Sequence, residues 1–146
     1  MALVLRIPAE SRVADIGTDH ARIPIYLLQQ GAQRVIATDI REGPLRAAEE
    51  ALRRRGLLER AELRLCDGAS GVRPDEADCV VIAGMGGDTV AGILRASPWL
   101  ADKHLLLQPQ THGERVTDVI EAWGKTPETA EVWDGGRRYI FYEVLP

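Results

Sequence analysis

The chain of 146 residues has little of what membrane and secreted proteins need. No apolar run approaches the roughly 20 residues that cross a bilayer, and residues 1–8 lack the basic start and cleavage site of a secretion signal. The sequence therefore predicts a cytoplasmic protein without a membrane partner. The only two cysteines, Cys66 and Cys79, cannot form a disulfide framework and are expected to be reduced. No two of the three histidines have metal-ligand spacing with a cysteine or carboxylate, so no metal site is predicted.

Positive charge is also in short supply, since the formal net charge is −4. This balance excludes a protein that wraps nucleic acid over its whole surface, because phosphate contacts need clustered lysine and arginine. A local basic patch that binds nucleic acid stays an alternative, either at arginines 53–55, 60 and 64 or at Arg137 and Arg138. Arginines 53–55 also fit a helix C-terminus, where cations are stabilised by the helix dipole. The apolar fraction of 45% and charged fraction of 27% indicate one globular domain over residues 1–146.

Strand-like apolar runs alternate with segments of helical period along most of the chain. The predicted strands are 12–16, 34–38, 61–65, 78–82 and 103–107, and the predicted helices are 23–30, 42–55, 88–95 and 113–123. This alternation predicts an α/β fold with a mostly parallel sheet and helices on both faces. Two further runs, 129–133 and 137–144, are joined by an Asp-Gly turn and predict a C-terminal antiparallel hairpin at the sheet edge.

Three acids, Asp15, Asp39 and Asp67, come at the carboxyl ends of the first three predicted strands. In an open α/β sheet these ends form the crevice that binds ligands. Gly17 allows the backbone to approach a ligand closely. Asp39, about 20 residues beyond that glycine, is where an acid accepts hydrogen bonds from a ribose diol, and Asp67 with Gly68 suits an adenine edge. Each acid taken singly also fits a turn or cap.

The charge of this crevice bears on which nucleotide it holds. A pyrophosphate is poorly served by the carboxylates of Asp15 and Asp19, and the three-glycine dinucleotide pattern is absent. Both features disfavour a dinucleotide oxidoreductase. Carboxylates instead suit S-adenosylmethionine, whose ammonium and sulfonium groups favour nearby negative charge. The residues therefore favour a methyl donor.

A glycine-rich segment, 83–87, follows the fourth predicted strand. Its bare backbone suits a flat platform for a substrate base, but a simple strand-to-helix turn with Met85 in the core fits as well. After the fifth predicted strand, Gln108 and Pro109 either offer an amide to the site or only end the strand.

Taken in order, these segments resemble the bacterial tRNA (adenine-22-N1)-methyltransferase family. The matching residues are 14–21 with Pro24, 37–44, 67–68, 82–87, 107–109 and 138–140. The resemblance implies a Rossmann-like class I methyltransferase fold, S-adenosyl-L-methionine as cofactor, and methylation of N1 of an adenine in tRNA.

The resemblance also carries over to individual residues. The residues expected near the cofactor are Asp15, Gly17, Thr18, His20, Asp39, Ile40, Asp67, Gly68, Ala83 and Gly84. Those expected at the substrate base are Met85, Gly86, Gly87, Gln108 and Pro109. Asp19 is the expected catalytic residue, because its carboxylate can stabilise positive charge on the base or take a proton from the exocyclic amine.

The family normally has an additional C-terminal helical domain that is thought to help grip tRNA, and this chain ends at Pro146 without one. We therefore expect a weak grip on tRNA, or a grip supplied by a second subunit. Two alternatives stay open from the sequence: a methyltransferase for another RNA or a small molecule, and a non-catalytic module that only binds the cofactor.

Overall fold

The structure is a computed structural model that describes residues 6–146. The first five residues, part of the segment tested above for a secretion signal, lie outside the described residues. The strands are β1 Arg12–Ile16, β2 Arg34–Asp39, β3 Ala61–Leu65, β4 Cys79–Met85, β5 His104–Pro109, β6 Glu128–Asp134 and β7 Arg137–Val144. The α-helices are α1 Arg22–Gln29, α2 Glu42–Arg54, α3 Gly87–Ala96 and α4 Gly113–Ala122. The chain divides into two compact units within β4, between Val80 and Val81.

The first unit contains three parallel strands in the order β3-β2-β1. β2 lies between its neighbours, and its last five residues are all buried, which explains the apolar run that predicted it. In β1, Val13 and Ala14 are also buried and pair in register with Val35 and Ile36 of β2. Because parallel strands point the same way, the predicted strand-end residues of β1, β2 and β3 all lie at one edge of this sheet.

Helix α2 contains Arg53 and Arg54, two of the five arginines that form one possible local basic patch in the sequence. Arg53 forms ion pairs with Glu49 at 3.0 Å and Glu50 at 3.3 Å, and Arg54 pairs with Glu50 at 3.1 Å. These partners lie one helical turn earlier, the spacing at which opposite charges stabilise a helix. Arg53 and Arg54 are therefore largely neutralised by their own helix. Cys66 and Cys79, both in this unit, form no disulfide.

The second unit contains the remaining strands in the order β4-β5-β7-β6. β7 pairs antiparallel with both β5 and β6, and Asp134 lies opposite Arg137. The two residues between them, Gly135 and Gly136, have φ angles of 58° and 76°, the left-handed pair that a tight hairpin turn requires. The predicted C-terminal hairpin is confirmed.

Two strands, β4 and β5, extend at their carboxyl ends by two or more residues beyond the predicted bounds. β4 continues to Met85 instead of ending at Ile82, and β5 continues to Pro109 instead of Leu107. Pairing continues because it uses backbone groups, which glycine retains: the Gln110 N–H donates to the Met85 carbonyl at 2.7 Å. Short 3₁₀ turns at Leu58–Arg60, Pro74–Glu76 and Pro98–Asp102 were also missed, because they are too short to give a periodic signal.

No helix formed by residues 6–146 combines the length and the apolar character needed to cross a membrane.

Candidate functional site

The turn after β1 is fixed to the end of β2. The backbone N–H groups of Gly17 and Thr18 both donate to the carbonyl oxygen of Thr38, at 2.9 and 2.8 Å. Gly17 has a φ angle of 76°, which is unfavourable for any residue with a Cβ atom. The sharp turn itself therefore requires the glycine that the sequence predicted. The turn places the Gly17 backbone beside the carboxyl end of β2.

Asp39 connects three strand-end segments. Its buried carboxylate accepts the Arg41 N–H on Oδ1 at 3.0 Å and, more weakly, the Asp19 N–H on Oδ2 at 3.4 Å. Its backbone carbonyl accepts the Cys66 N–H at 3.0 Å. Backbone donors thus hold the carboxylate in a fixed orientation, which is the arrangement a polar ligand group needs.

The turn after β3 joins the same cluster through Gly68, whose carbonyl accepts the Thr38 hydroxyl at 3.4 Å. The neighbouring Asp67 is exposed, and its carboxylate has no hydrogen-bond partner in the described part of the chain. Ile40, which follows Asp39, leaves 64% of its surface exposed. The exposed Ile40 side chain thus follows the fixed carboxylate in the chain, and the Asp67 carboxylate follows Cys66, whose N–H donates to the Asp39 carbonyl. This combination suits a flat polar ring.

Asp15 is the most deeply buried of the three acids. It is buried to 2% exposure, and this burial raises its pKa from 3.8 to about 7. Thr18 opposes the rise and the charge on Asp39 adds to it. The Thr18 hydroxyl oxygen is itself buried and has no partner with hydrogen-bond geometry among residues 6–146. At neutral pH Asp15 is thus only partly ionised, and a cation beside it would favour its ionised form.

Asp19 and His20 lie on the outer side of the same turn. Their side chains are 70% and 62% exposed, and the Asp19 carboxylate pairs with His20 Nδ1 at 3.1 Å. Asp19 has a φ angle of 53°, a left-handed conformation that aspartate tolerates better than most residues. The carboxylate predicted to act on the substrate is therefore accessible to a ligand.

In the second unit, the predicted residues Gly84 and Gln108 lie in contact. The Gly84 N–H donates to Oε1 of Gln108 at 3.2 Å, and Gln108 is buried. The side-chain amide of Gln108 donates to the carbonyl of the adjacent Pro109 at 3.3 Å. Ala83 precedes this pair within β4. The glutamine is thus held between the ends of β4 and β5.

Gly86 and Gly87 have a packing role that the sequence did not predict. The Gly87 N–H donates to the Thr111 carbonyl at 2.7 Å. A Cβ atom at Gly87 would overlap the carbonyl oxygens of Thr111 and His112, and one at Gly86 would press on the Thr111 side chain. Residues 110–112 were absent from the predicted site. Their only sequence signal is that they follow Gln108 and Pro109 directly.

The Gly87 contact gives a prediction about stability. Gly87→Ala should lower the free energy of unfolding by about 3 kcal/mol, because backbone oxygens have no room to move aside. Gly92 lies in the same helix with open space around its Cα atom, so Gly92→Ala should raise stability by roughly 0.5–1 kcal/mol through helix propensity. Urea denaturation of both variants measures the two effects. A loss of equal size at both positions would contradict the close contact.

The structure thus brings predicted residues together within each unit. In the first unit, hydrogen bonds link Gly17, Thr18 and Asp19 to residues 38–39, and Thr38 in turn to Gly68. His20, Ile40 and Asp67 are next to these residues in the chain. In the second, Met85 and Gly87 contact residues 110–111, and Gly84 contacts Gln108. The described residues contain no group of three or more His, Cys, Asp and Glu able to hold a metal ion.

Acids at parallel strand ends and a glycine turn between them are features of nucleotide-type cofactor sites in α/β proteins. The chain belongs to the methyltransferase domain family, whose model matches residues 1–140.

Among curated proteins, the chain is similar to the tRNA (adenine(22)-N(1))-methyltransferase of Bacillus subtilis (strain 168), with 36% identity over 117 residues. The match covers 78% of this chain and 49% of that protein, so the chain spans about half the length of this relative.

Two solved structures extend the comparison. The crystal structure of the B. subtilis M1A22 tRNA methyltransferase TrmK matches with a TM-score of 0.92 and 30% identity, over 99% of this chain and 63% of that one. Streptococcus pneumoniae Sp1610, solved in complex with S-adenosyl-L-methionine, matches with a TM-score of 0.92 and 28% identity, over 99% of this chain and 70% of that one. The predicted Rossmann-like methyltransferase fold is confirmed.

Proposed function

We propose that this chain binds S-adenosyl-L-methionine and directs methyl transfer to N1 of an adenine in tRNA. One observation carries the proposal: the buried Asp39 carboxylate, held by the backbone N–H groups of Arg41 and Asp19 at the strand ends. Membership of the methyltransferase domain family and the similarity to the B. subtilis tRNA methyltransferase support it. The protein would then act in the cytoplasm, with tRNA as its partner.

The residues of the first unit fit the proposed cofactor. Asp39 has lone pairs beyond its two backbone donors, and these would accept hydrogen bonds from ribose hydroxyls. The unpartnered carboxylate of Asp67 would accept from the adenine amino group, while the exposed side chain of Ile40 would cover one face of the ring. The buried, unpartnered hydroxyl of Thr18 and the titratable Asp15 would serve the ammonium end.

The cofactor supplies an electrophilic methyl group on a sulfonium centre, so the protein must orient an acceptor and stabilise the charge that develops on it. We assign the charge-stabilising role to Asp19, whose exposed carboxylate can also accept a proton from the exocyclic amine of the target adenine. In the second unit, Gln108 and Met85 would contact the target base. The buried Gln108 amide is already oriented by Gly84 and Pro109, which favours a fixed hydrogen-bonding role.

The cofactor assignment is tested at Asp39. Asp39→Asn should weaken binding of S-adenosylhomocysteine by about 10- to 100-fold, because a hydrogen bond to a charged acceptor contributes about 1.5–3 kcal/mol. Asp118→Asn removes one exposed negative charge from helix α4 and serves as the matched control, for which we expect no change. Calorimetric titration measures both. Equal affinities in the wild type and Asp39→Asn would contradict the assignment.

The substrate assignment is tested separately, by mass spectrometry of modified adenosines in tRNA after incubation with the protein and the methyl donor. We expect 1-methyladenosine in tRNA. Cofactor binding without methyl incorporation into any tRNA would contradict the enzymatic part of the proposal. Methylation of another RNA, but not of tRNA, would contradict the substrate assignment only.

A further inference from the structure

A cavity of about 250 Å³ lies within the second unit and is lined by residues 108–113, residues 137–140 and Tyr142. These segments are the turn between β5 and α4 and the start of β7. Gln108 and Pro109, predicted to contact the substrate, form part of the wall. The cavity is thus adjacent to the proposed substrate residues and formed mostly by residues to which no role has been assigned.

The charge of the cavity is opposite to that of the whole chain. The chain carries 22 acidic residues against 18 lysines and arginines, yet none of the lining residues is an aspartate or a glutamate. Arg137 and Arg138 both contribute to the wall. A wall that contains two arginines and no acid, in an acidic protein, favours an anionic ligand.

Arg137 is held in place without being neutralised. Its guanidinium lies over the ring of Tyr139, 5.5 Å from the centroid, which is cation–π distance. No carboxylate among residues 6–146 lies within ion-pair distance of Arg137. Arg138 differs, because it pairs with Glu131 at 3.1 Å. Arg137 therefore keeps its full positive charge for a ligand.

The chemistry of the wall indicates which anion fits. Thr111 and Gln110 add uncharged hydrogen-bond donors to the two arginines. Arg137 already covers one face of Tyr139, so a stacked base would have to displace it. Planar guanidinium groups instead match phosphate oxygens in pairs.

We infer that this cavity binds a phosphate of the RNA backbone next to the target nucleotide, with Arg137 as the main contact. The inference rests on the proposed function, since it takes RNA to be the substrate. It places an RNA contact in the second unit of this chain. There the sequence showed a small basic group, Arg137 and Arg138, as one of two possible basic patches.

The test compares tRNA binding by the wild type, Arg137→Gln and Arg137→Lys at rising salt concentrations. Arg137→Gln should raise Kd by about 5- to 10-fold at low salt, and the slope of log K against log salt should fall by about 0.7–0.9, the value for one phosphate contact. Arg137→Lys should restore the slope, because a lysine keeps the charge, but only part of the affinity, because an ammonium group does not match two phosphate oxygens as a planar guanidinium does. Binding of S-adenosylhomocysteine should not change in either variant.

Arg95→Gln is the matched control. Arg95 is exposed, lies at the end of helix α3 in the same unit, and is outside the cavity. If Arg95→Gln lowers the slope as much as Arg137→Gln, or if neither lowers it, the phosphate site is refuted. Inorganic phosphate at matched ionic strength should compete weakly with tRNA, whereas complete displacement would show a free-anion site instead.

The same samples separate this inference from the proposed function. Wild-type protein that methylates tRNA, together with unchanged binding by Arg137→Gln, would refute the phosphate site and leave the function intact. Wild-type protein that fails to methylate tRNA but loses RNA binding on Arg137→Gln would refute the function and leave the phosphate site intact.

Discussion

Asp19→Asn should lower kcat for tRNA methylation by about 10²- to 10⁴-fold, the range that a positioned acid–base group contributes. Asparagine keeps the size and hydrogen-bonding oxygen of the side chain but removes its negative charge. Positive charge develops on the adenine during transfer, so the loss should fall on the chemical step. Affinity for S-adenosylhomocysteine should stay within about threefold of the wild type, because the proposed cofactor contacts of Asp39 and Asp67 are retained.

Asparagine is preferred to alanine here because Asp19 has a φ angle of 53°. Alanine in this left-handed conformation costs about 1–2 kcal/mol, which would mix a folding defect with a catalytic one. Asp75→Asn is a suitable control, since Asp75 is also exposed and its carboxylate also contacts a neighbouring side chain, that of Arg73. Single-turnover kinetics and calorimetry on the same samples decide the role. Equal losses in rate and in cofactor affinity would make Asp19 a cofactor residue.

The strand-end acids show how far sequence reasoning reaches. The position of Asp39 was predictable because a buried apolar run ends there and a parallel strand must present its carboxyl end at the ligand edge. The contact of its carboxylate with the Asp19 N–H was not, since this depends on the left-handed turn that follows β1. The sequence predicts which residues lie at the carboxyl edge of the sheet. The geometry of the turns determines which of these residues contact one another.

The glycine-rich segment shows what was missed. Its strand character, which continues to Met85, was hidden because glycine has low strand propensity while its backbone still pairs. The need for glycine at position 87 comes from the carbonyl groups of residues 111–112, more than twenty residues away in the chain. Such contacts leave no periodic pattern. The same reason kept residues 110–112 and the cavity beside them out of the predicted site.

Asp15→Asn should stabilise the ligand-free protein by about 4 kcal/mol above pH 7. Burial raises the pKa of this carboxyl from 3.8 to about 7, and each pKa unit corresponds to about 1.4 kcal/mol. A raised carboxyl pKa means that the folded state holds its proton more tightly than the unfolded state. Wild-type stability should therefore fall as pH rises from about 4 to about 7 and then level off, whereas the variant should lack this fall.

Urea denaturation across this pH range measures the difference between the two curves. Glu76 does not confuse the comparison: its ion pair with Arg64 lowers the pKa of Glu76 to about 2, and the stability linked to it is lost in both proteins alike as pH falls through about 4.5. Parallel curves for the wild type and Asp15→Asn would contradict a buried, late-titrating Asp15.

The same titration links stability to cofactor binding. If Asp15 serves the ammonium group of the cofactor, the ligand favours the ionised carboxyl, and affinity for S-adenosylhomocysteine should rise as pH increases through about 7. Asp15→Asn should bind more weakly and lose this rise, although it is the more stable protein. If the variant gains stability and keeps wild-type affinity at pH 8, Asp15 does not contact the cofactor. Its burial would then destabilise the protein without contributing to binding.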